Sequence, residues 1–315
     1  MSRVKTPAGL PDLVKNTFAK ALSEGELNYY PTRVALLRAN SIPFQLRFSP
    51  ALANKPKGPP PDANRKPFDP FEDPPAALKI TDLSRDHYLV LNKFAIIPEH
   101  FILATSFFRA QTYVLEPVDL DATRACIESY NSEAENGGLF AFFNCGDHSG
   151  ASQSHRHIQL LPVFRMREGL EGHDHDAWGV LAEQLAGGAV APFKTFSERI
   201  SLEMTGDELW DIYLRLYRQA CQAVKPSDAE APAHGEALIS YNMAMTSTTL
   251  TICPRLSEGT EIKNSDGDVV GKLALNGTVL AGTALVKSEA EWDALREDEA
   301  QLGSLLASIG VAADS

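Results

Sequence analysis

A loop of small residues, Gly150-Ala151-Ser152-Gln153-Ser154, runs directly into His155-Arg156-His157-Ile158-Gln159-Leu160-Leu161-Pro162. If Ile158, Leu160 and Leu161 belong to a buried strand, the two-residue period of a strand sets His155, His157 and Gln159 on one face. Three polar groups then converge on one site. A neutral imidazole placed there has one ring nitrogen free to attack an electrophile while the other donates to an acceptor that fixes the tautomer. The loop ahead of it supplies amides and hydroxyls able to surround phosphate oxygens, and Gln159 can donate hydrogen bonds without titrating. A histidine pair at this spacing could also ligate zinc or non-haem iron, or be two satisfied structural side chains. The small-residue loop and the glutamine favour chemistry at phosphorus.

Composition excludes several alternatives. A chain of 315 residues with 44% hydrophobic residues can bury a substantial core, in one large domain or two closely joined ones. No apolar stretch reaches 18 residues and the opening Met-Ser-Arg-Val-Lys-Thr-Pro lacks a hydrophobic leader region, so the expectation is a cytoplasmic protein without a membrane partner. Cys126, Cys145, Cys221 and Cys253 form no Cys-x-x-Cys pair and read as reduced, buried thiols. A net charge of −12 argues against nucleic-acid binding, but a few cations in a cleft suffice for a nucleotide.

Local patterns sketch the elements. Residues 8–26 have helical spacing, with Leu10, Leu13, Val14, Phe18, Ala21 and Leu22 on one stripe, and residues 41–48 alternate as a strand. From Pro50 to Pro75 inclusive there are nine prolines, which predicts an extended loop carrying Lys55, Lys57, Arg65 and Lys66. Strands are predicted over 87–97 and 100–106, a helix over 117–135 with Asp119 or Asp121 near its cap, and a strand over 138–144 that pairs with 155–163. Residues 165–190 read as the join between two halves, with His173-Asp174-His175 in a polar surface loop. Thr205 with Glu208 is a capping box opening a helix to about 224, and Ser288 with Glu291 opens another over 289–308. Further strands are predicted at 235–240, 248–254 and 276–287.

The run Gly150–Pro162 resembles the active-site signature of the histidine-triad superfamily, in its His-x-His-x-Gln transferase branch. Leu91–Phe101, Tyr241-Asn242-Met243-Ala244-Met245-Thr246 and the stretch from Asn276-Gly277-Thr278 to Lys287 are similar to the ATP adenylyltransferase, or diadenosine tetraphosphate phosphorylase, family. The resemblance implies an α+β fold: a histidine-triad-like antiparallel sheet of the galactose-1-phosphate uridylyltransferase kind with flanking helices. It also implies two closely joined halves, residues 1–170 with the catalytic signature and residues 190–315 completing the nucleotide site.

By the same resemblance His157 is the nucleophile, a choice periodicity could not make between the two histidines. His155 then orients the neighbouring strand or contacts phosphates, and Gln159 holds a non-bridging oxygen. A glutamine cannot act as a general acid, which favours transfer to phosphate over transfer to water. The implied reaction is reversible conversion of diadenosine tetraphosphate and phosphate to ATP and ADP. Gly150, Ala151, Ser152 and Gln153 would hold the polyphosphate, with His148 a minor contact. Lys93, Asn144, Asn276, Gly277, Thr278 and Lys287 match nucleotide-contacting positions. Lys55 is the expected loop lysine, with Lys57 its alternative. Thr283 stands where relatives commonly carry Met, which would alter adenine packing or base preference.

No tightly bound cofactor and no fixed metal site are expected, a divalent cation such as Mg accompanying the nucleotide instead. Partners would be small-molecule nucleotides, dinucleoside polyphosphates, ATP, ADP and phosphate, met by a monomer. The rival readings are a hexose-1-phosphate uridylyltransferase-like enzyme, whose usual metal cysteines are absent, and a nucleotide-binding sensor without turnover.

Overall fold

The computed structural model describes residues 3–39, 41–51, 68–132, 137–226 and 230–313. At its centre lies an eight-stranded sheet, antiparallel at every pairing. From edge to edge its strands are Phe196–Arg199, Thr249–Arg255, Ser240–Met245, Leu139–Cys145, His157–Pro162, Phe101–Thr105, His87–Leu91 and Lys79–Asp82. Leu139–Cys145 from the first half pairs with Ser240–Met245 from the second, so both halves share one sheet.

Side-chain alternation across this sheet feeds two apolar cores. Ala141, Phe143, Ile158, Leu160, Tyr241, Met243 and Ile252 face the helices Leu10–Ser23, Pro117–Asn131 and Gly206–Val224. In the last of these, Leu209, Ile212, Tyr213, Leu216, Tyr217 and Ala220 recur at helical spacing and are buried. Phe140, Phe142, Leu161, Ala244 and Cys253 point the other way, toward Leu46, Phe48, Leu280, Val286 and Trp292. Leu139–Cys145 is therefore buried on both faces, which is why it reads as an unbroken apolar run.

Over the second face lies a three-stranded sheet in which Ile42–Phe48 pairs antiparallel with Arg33–Ala39 and parallel with Thr283–Val286. A strand near the start of the chain is thus completed by one near its end. The segment predicted as a join carries short helices Val163–Met166, His173–Ala177 and Leu181–Ala186, and its Trp178 is buried with Nε1 donating to Gly282 O at 3.2 Å. It packs as part of the second core.

Several predicted boundaries move. The first helix ends at Ser23, and Leu22 of its predicted stripe is exposed. The strand expected over 87–97 stops at Leu91, and only Phe94–Ala95 pairs again, parallel with Asn28–Tyr29. The second helix is capped by Glu116, with Asp119 as the third helical residue accepting from Glu116 N at 2.8 Å. Of residues 235–240 only Ser240 is in a strand, Ser240–Met245, and the rest precede it. Residues 276–287 are a 3₁₀ turn Gly277–Ala281 followed by Thr283–Val286, because Asn276 Oδ1 caps Thr278 N. The last predicted helix is two, Glu289–Glu297 and Glu299–Ala307, and the hairpin Gly259–Lys263 with Val269–Ala274 was not predicted. Both capping boxes form as read.

Candidate active site

His157 opens the strand His157–Pro162, and with Gln159 it projects on the same face as Leu161, away from Ile158 and Leu160. It is 4% exposed. Its Nδ1 lies 2.8 Å from His155 O, and a carbonyl only accepts, so the proton of the neutral ring sits on Nδ1 and Nε2 keeps its lone pair. Burial pushes the His157 pKa down to about 4, outweighing the hydrogen bond to the His155 carbonyl and the more distant Asp69 carboxylate, which act the other way. Phe71 stacks on the ring with centroids 5.0 Å apart.

His155 is held differently and does not line the cavity that His157 faces. Its Nδ1 meets Asp69 Oδ2 at 2.7 Å and its Nε2 meets Thr105 O at 2.9 Å, so both nitrogens are committed within the protein. Of the two roles expected for it, the geometry favours orientation: it anchors the strand entry, with Phe71 and Phe108 edge-on to its ring. Asp69 and Phe71 lie at the end of the proline-rich segment, where Tyr88 Oη donates to Phe71 O at 2.8 Å. Neither was singled out from the sequence, since a loop position has no periodicity to mark it.

Gln111 was missed for the same reason. Its Oε1 accepts from His157 N at 2.8 Å, and its Nε2 donates to Asn144 O at 2.7 Å and His157 O at 3.2 Å. One buried carboxamide thereby supplies the backbone partners that the sheet leaves open where two strands splay apart.

His157 and Gln159 lie at the floor of a cavity of about 910 Å³ between the two sheets. Gly150, Ser152 and Gln153 line it, as do Lys93, Asn276, Thr278, Thr283 and Lys287. Among its described lining residues Arg47, Lys93 and Lys287 are cationic and none is Asp or Glu. A chain of net charge −12 has thus reserved a cleft whose described wall is cationic. Arg47, Phe68, Phe71 and His100 line it too, though none was predicted to.

Three expected contacts are placed differently. Asn144 is 2% exposed and outside the cavity wall; its Oδ1 accepts from Asn242 Nδ2 at 2.9 Å and Gly277 N at 2.8 Å. It joins the halves, because Asn242 also donates to Ser149 O and accepts from the buried Arg255. Gly277 belongs to this knot, where a Cβ would come within 2.6 Å of Phe142 Cδ2, and Ala151 also lies outside the wall. Gly150 sits at φ +77° against Asn276, which explains glycine there. Lys55 and the other loop cations Lys57, Arg65 and Lys66 fall outside the described residues. His173 and His175 are exposed on a short helix, and His148 is exposed and outside the wall. Among the described residues no group of three or more His, Cys, Asp or Glu is placed to hold a metal ion.

Fold and site together define a class, a nucleotidyltransferase of mixed α/β architecture built on an antiparallel sheet. Residues 1–171 match the Ap4A phosphorylase N-terminal domain and residues 189–312 the ATP adenylyltransferase C-terminal domain. The chain belongs to the Ap4A phosphorylase family, as its motifs suggested. It is similar to diadenosine 5',5'''-P1,P4-tetraphosphate phosphorylase 2 of Saccharomyces cerevisiae, 29% identical over 309 residues, spanning 92% of this chain and 90% of the relative. Protein APA1 of the same yeast is 25% identical over 320 residues, spanning 96% and 95%. The crystal structure of yeast Ap4A phosphorylase Apa2 superposes with a TM-score of 0.76 at 25% identity, covering 98% of this chain and 99% of that one. A structure of Apa2 in complex with Ap4A shares the fold with the same TM-score at 22% identity, covering 98% and 99%.

Proposed function

We propose that this protein catalyses the reversible phosphorolysis of diadenosine tetraphosphate to ATP and ADP through an adenylyl group carried on His157. The observation that carries this reading is the unprotonated Nε2 of a buried, neutral His157 facing a cleft lined by cations. In the first step Nε2 bonds to the α-phosphorus and the bond to the bridging oxygen breaks, its electron pair leaving with ATP. The ring then bears a positive charge, which the His155 carbonyl at Nδ1 and the nearby Asp69 carboxylate stabilise. In the second step an oxygen of inorganic phosphate attacks the same phosphorus, ADP departs, and the pair returns to Nε2. Neither step needs an acid on the leaving group, which suits Gln159 as a neutral donor to a non-bridging oxygen.

On this reading Gly150, Ser152 and Gln153 receive the polyphosphate, Lys93 and Lys287 neutralise it, and Asn276, Thr278 and Thr283 meet the nucleoside; that all of them line the cleft supports it. A divalent cation arrives with the nucleotide as its counter-charge; no tightly held cofactor is needed for these steps. Action as a monomer in the cytoplasm belongs to the same reading, and the four free, buried cysteines suit that reducing compartment. Among the described residues no helix is long and apolar enough to cross a membrane.

The test is incubation with α-labelled diadenosine tetraphosphate without phosphate, which should leave label on His157, released as ADP once phosphate is added. Products that ignore phosphate, or label that persists in His157→Asn, would refute the reading. Thermal stabilisation by the dinucleotide without product would identify a sensor instead.

A further inference from the structure

His100 lies beside Gln159, close enough for the two side chains to interact, yet its buried Nε2 is committed to no other group. It is 6% exposed, it lines the cleft, and its Nε2 is buried without a hydrogen-bond partner. A buried imidazole nitrogen left open at a cleft wall is uncommon enough to need an explanation.

The tautomer of His100 follows from its neighbours. Phe94 N donates to Asn92 Oδ1 at 3.0 Å, which fixes the Asn92 carboxamide with its oxygen toward Phe94 and its NH₂ elsewhere. That NH₂ lies 3.1 Å from His100 Nδ1. Because an amide nitrogen only donates, Nδ1 must accept, and the proton of the neutral ring is on Nε2. Burial, with His157 nearby, drives the His100 pKa down to about 3 against the opposing pull of the Gln159 carboxamide, so the ring stays a neutral donor.

Backbone geometry aims that donor. Asn92 N bonds His100 O at 3.0 Å, and in the next strand Ile102 is the register partner of Gln159. Immediately before His100, Glu99 holds φ +60°, the sole positive φ of a non-glycine among the described residues, and its carboxylate is paired with Arg165. Left-handed backbone at a buried glutamate is strained, and such strain concentrates where a side chain must be aimed.

We infer that Asn92 and His100 form a relay that holds the Gln159 carboxamide with its oxygen toward His100 Nε2–H and its NH₂ toward the phosphate being transferred. A primary amide has a donor end and an acceptor end of nearly equal size. Without a donor at its back it can turn over and set a carbonyl oxygen against an anion, removing the hydrogen bond to the non-bridging oxygen of the group being transferred. His100 is thus a positioning residue that acts through Gln159. The relay rests on the role proposed above for Gln159, and it adds what decides which end of that side chain the substrate meets.

The experiment compares His100→Leu, His100→Gln and Gln159→Ala with the wild type, together with nitrogen NMR of the wild-type histidines. His100→Leu should lower kcat for phosphorolysis about 10- to 100-fold while KM changes far less, because the donor acts on the group being transferred. His100→Gln, which returns an N–H near the Nε2 position, should recover most of that loss. His100→Leu combined with Gln159→Ala should be no slower than the worse single variant, since both remove one hydrogen bond. The NMR spectrum should show His100 protonated at Nε2 and bare at Nδ1. A folded His100→Leu with wild-type kcat, multiplicative losses in the double variant, or a proton on Nδ1 would each overturn the relay. The tautomer is read without turnover, so a wild type that does not phosphorolyse the dinucleotide would refute the proposed function separately, with the NMR result still deciding the relay.

Discussion

Gln111 and His157, 46 residues apart, are joined at both backbone groups of the histidine: Gln111 Oε1 accepts from His157 N and Gln111 Nε2 donates to His157 O. The position of His157 is therefore set by a side chain from a loop that precedes the helix Pro117–Asn131. Replacing it in Gln111→Leu leaves buried backbone groups unpaired, which should destabilise the fold by about 1–3 kcal/mol. Displacement of the strand entry should lower kcat by about 10²-fold. Thermal melting and steady-state kinetics of that variant check both figures.

The two depressed histidines make stability depend on acidity. His157 and His100 titrate near 4 and 3 in the folded protein and near 6.5 when unfolded. Below 6.5 the unfolded chain takes up protons that the folded one refuses, so this stability is complete above 6.5 and is lost as pH falls toward 4. The melting temperature should fall between pH 7 and pH 5, and His157→Asn, which has no imidazole to protonate, should fall less steeply over that window. Scanning calorimetry at several pH values measures the difference.

The same depression predicts the activity profile. An ordinary histidine would be half protonated near pH 6.5, whereas His157 stays neutral well below that, so kcat/KM should hold steady down to about pH 5. A limb of the profile centred near 6.5 would contradict the buried environment of His157.

Gly277 has room for no side chain. A methyl group there would meet Phe142 Cδ2 at 2.6 Å and Asn144 Oδ1 at 2.8 Å, in the knot that ties the two halves together. Gly277→Ala should destabilise the protein by about 1–3 kcal/mol and raise KM for the dinucleotide by shifting Asn276 and Thr278. Melting temperature and KM report on the two effects separately.

Lys93 and Lys287 are exposed on the wall of a cleft that lacks acidic residues among those described. Lys93→Met or Lys287→Met should raise KM for the tetraphosphate by about tenfold at low salt, and by less as salt screens the attraction. Kinetics at two ionic strengths test this, with melting temperature expected to stay unchanged.

Local physics explains what could be read from residue order alone. Leu209, Ile212, Tyr213 and Leu216 declare a helix face whatever surrounds them, and Thr205 with Glu208 or Ser288 with Glu291 close their capping boxes within four residues. The alternation from His157 to Leu161 set His157 and Gln159 on one face, and the run of small residues before it supplies Gly150, Ser152 and Gln153 to the cleft wall. Residue type alone also foretold that Gln159 cannot serve as an acid.

Contacts between distant segments were decided by the tertiary structure. Nothing in Thr283–Val286 announces a parallel partner at Ile42–Phe48, and nothing in Asn144 announces that its oxygen is taken by Asn242 and Gly277. His155 and His157 have the same side chain at the same spacing. They part only because Asp69 and Thr105 close around one ring, while a carbonyl occupies a single nitrogen of the other. A side chain's chemistry travels with its sequence, but its free valences depend on which neighbours the folded chain brings within hydrogen-bond reach.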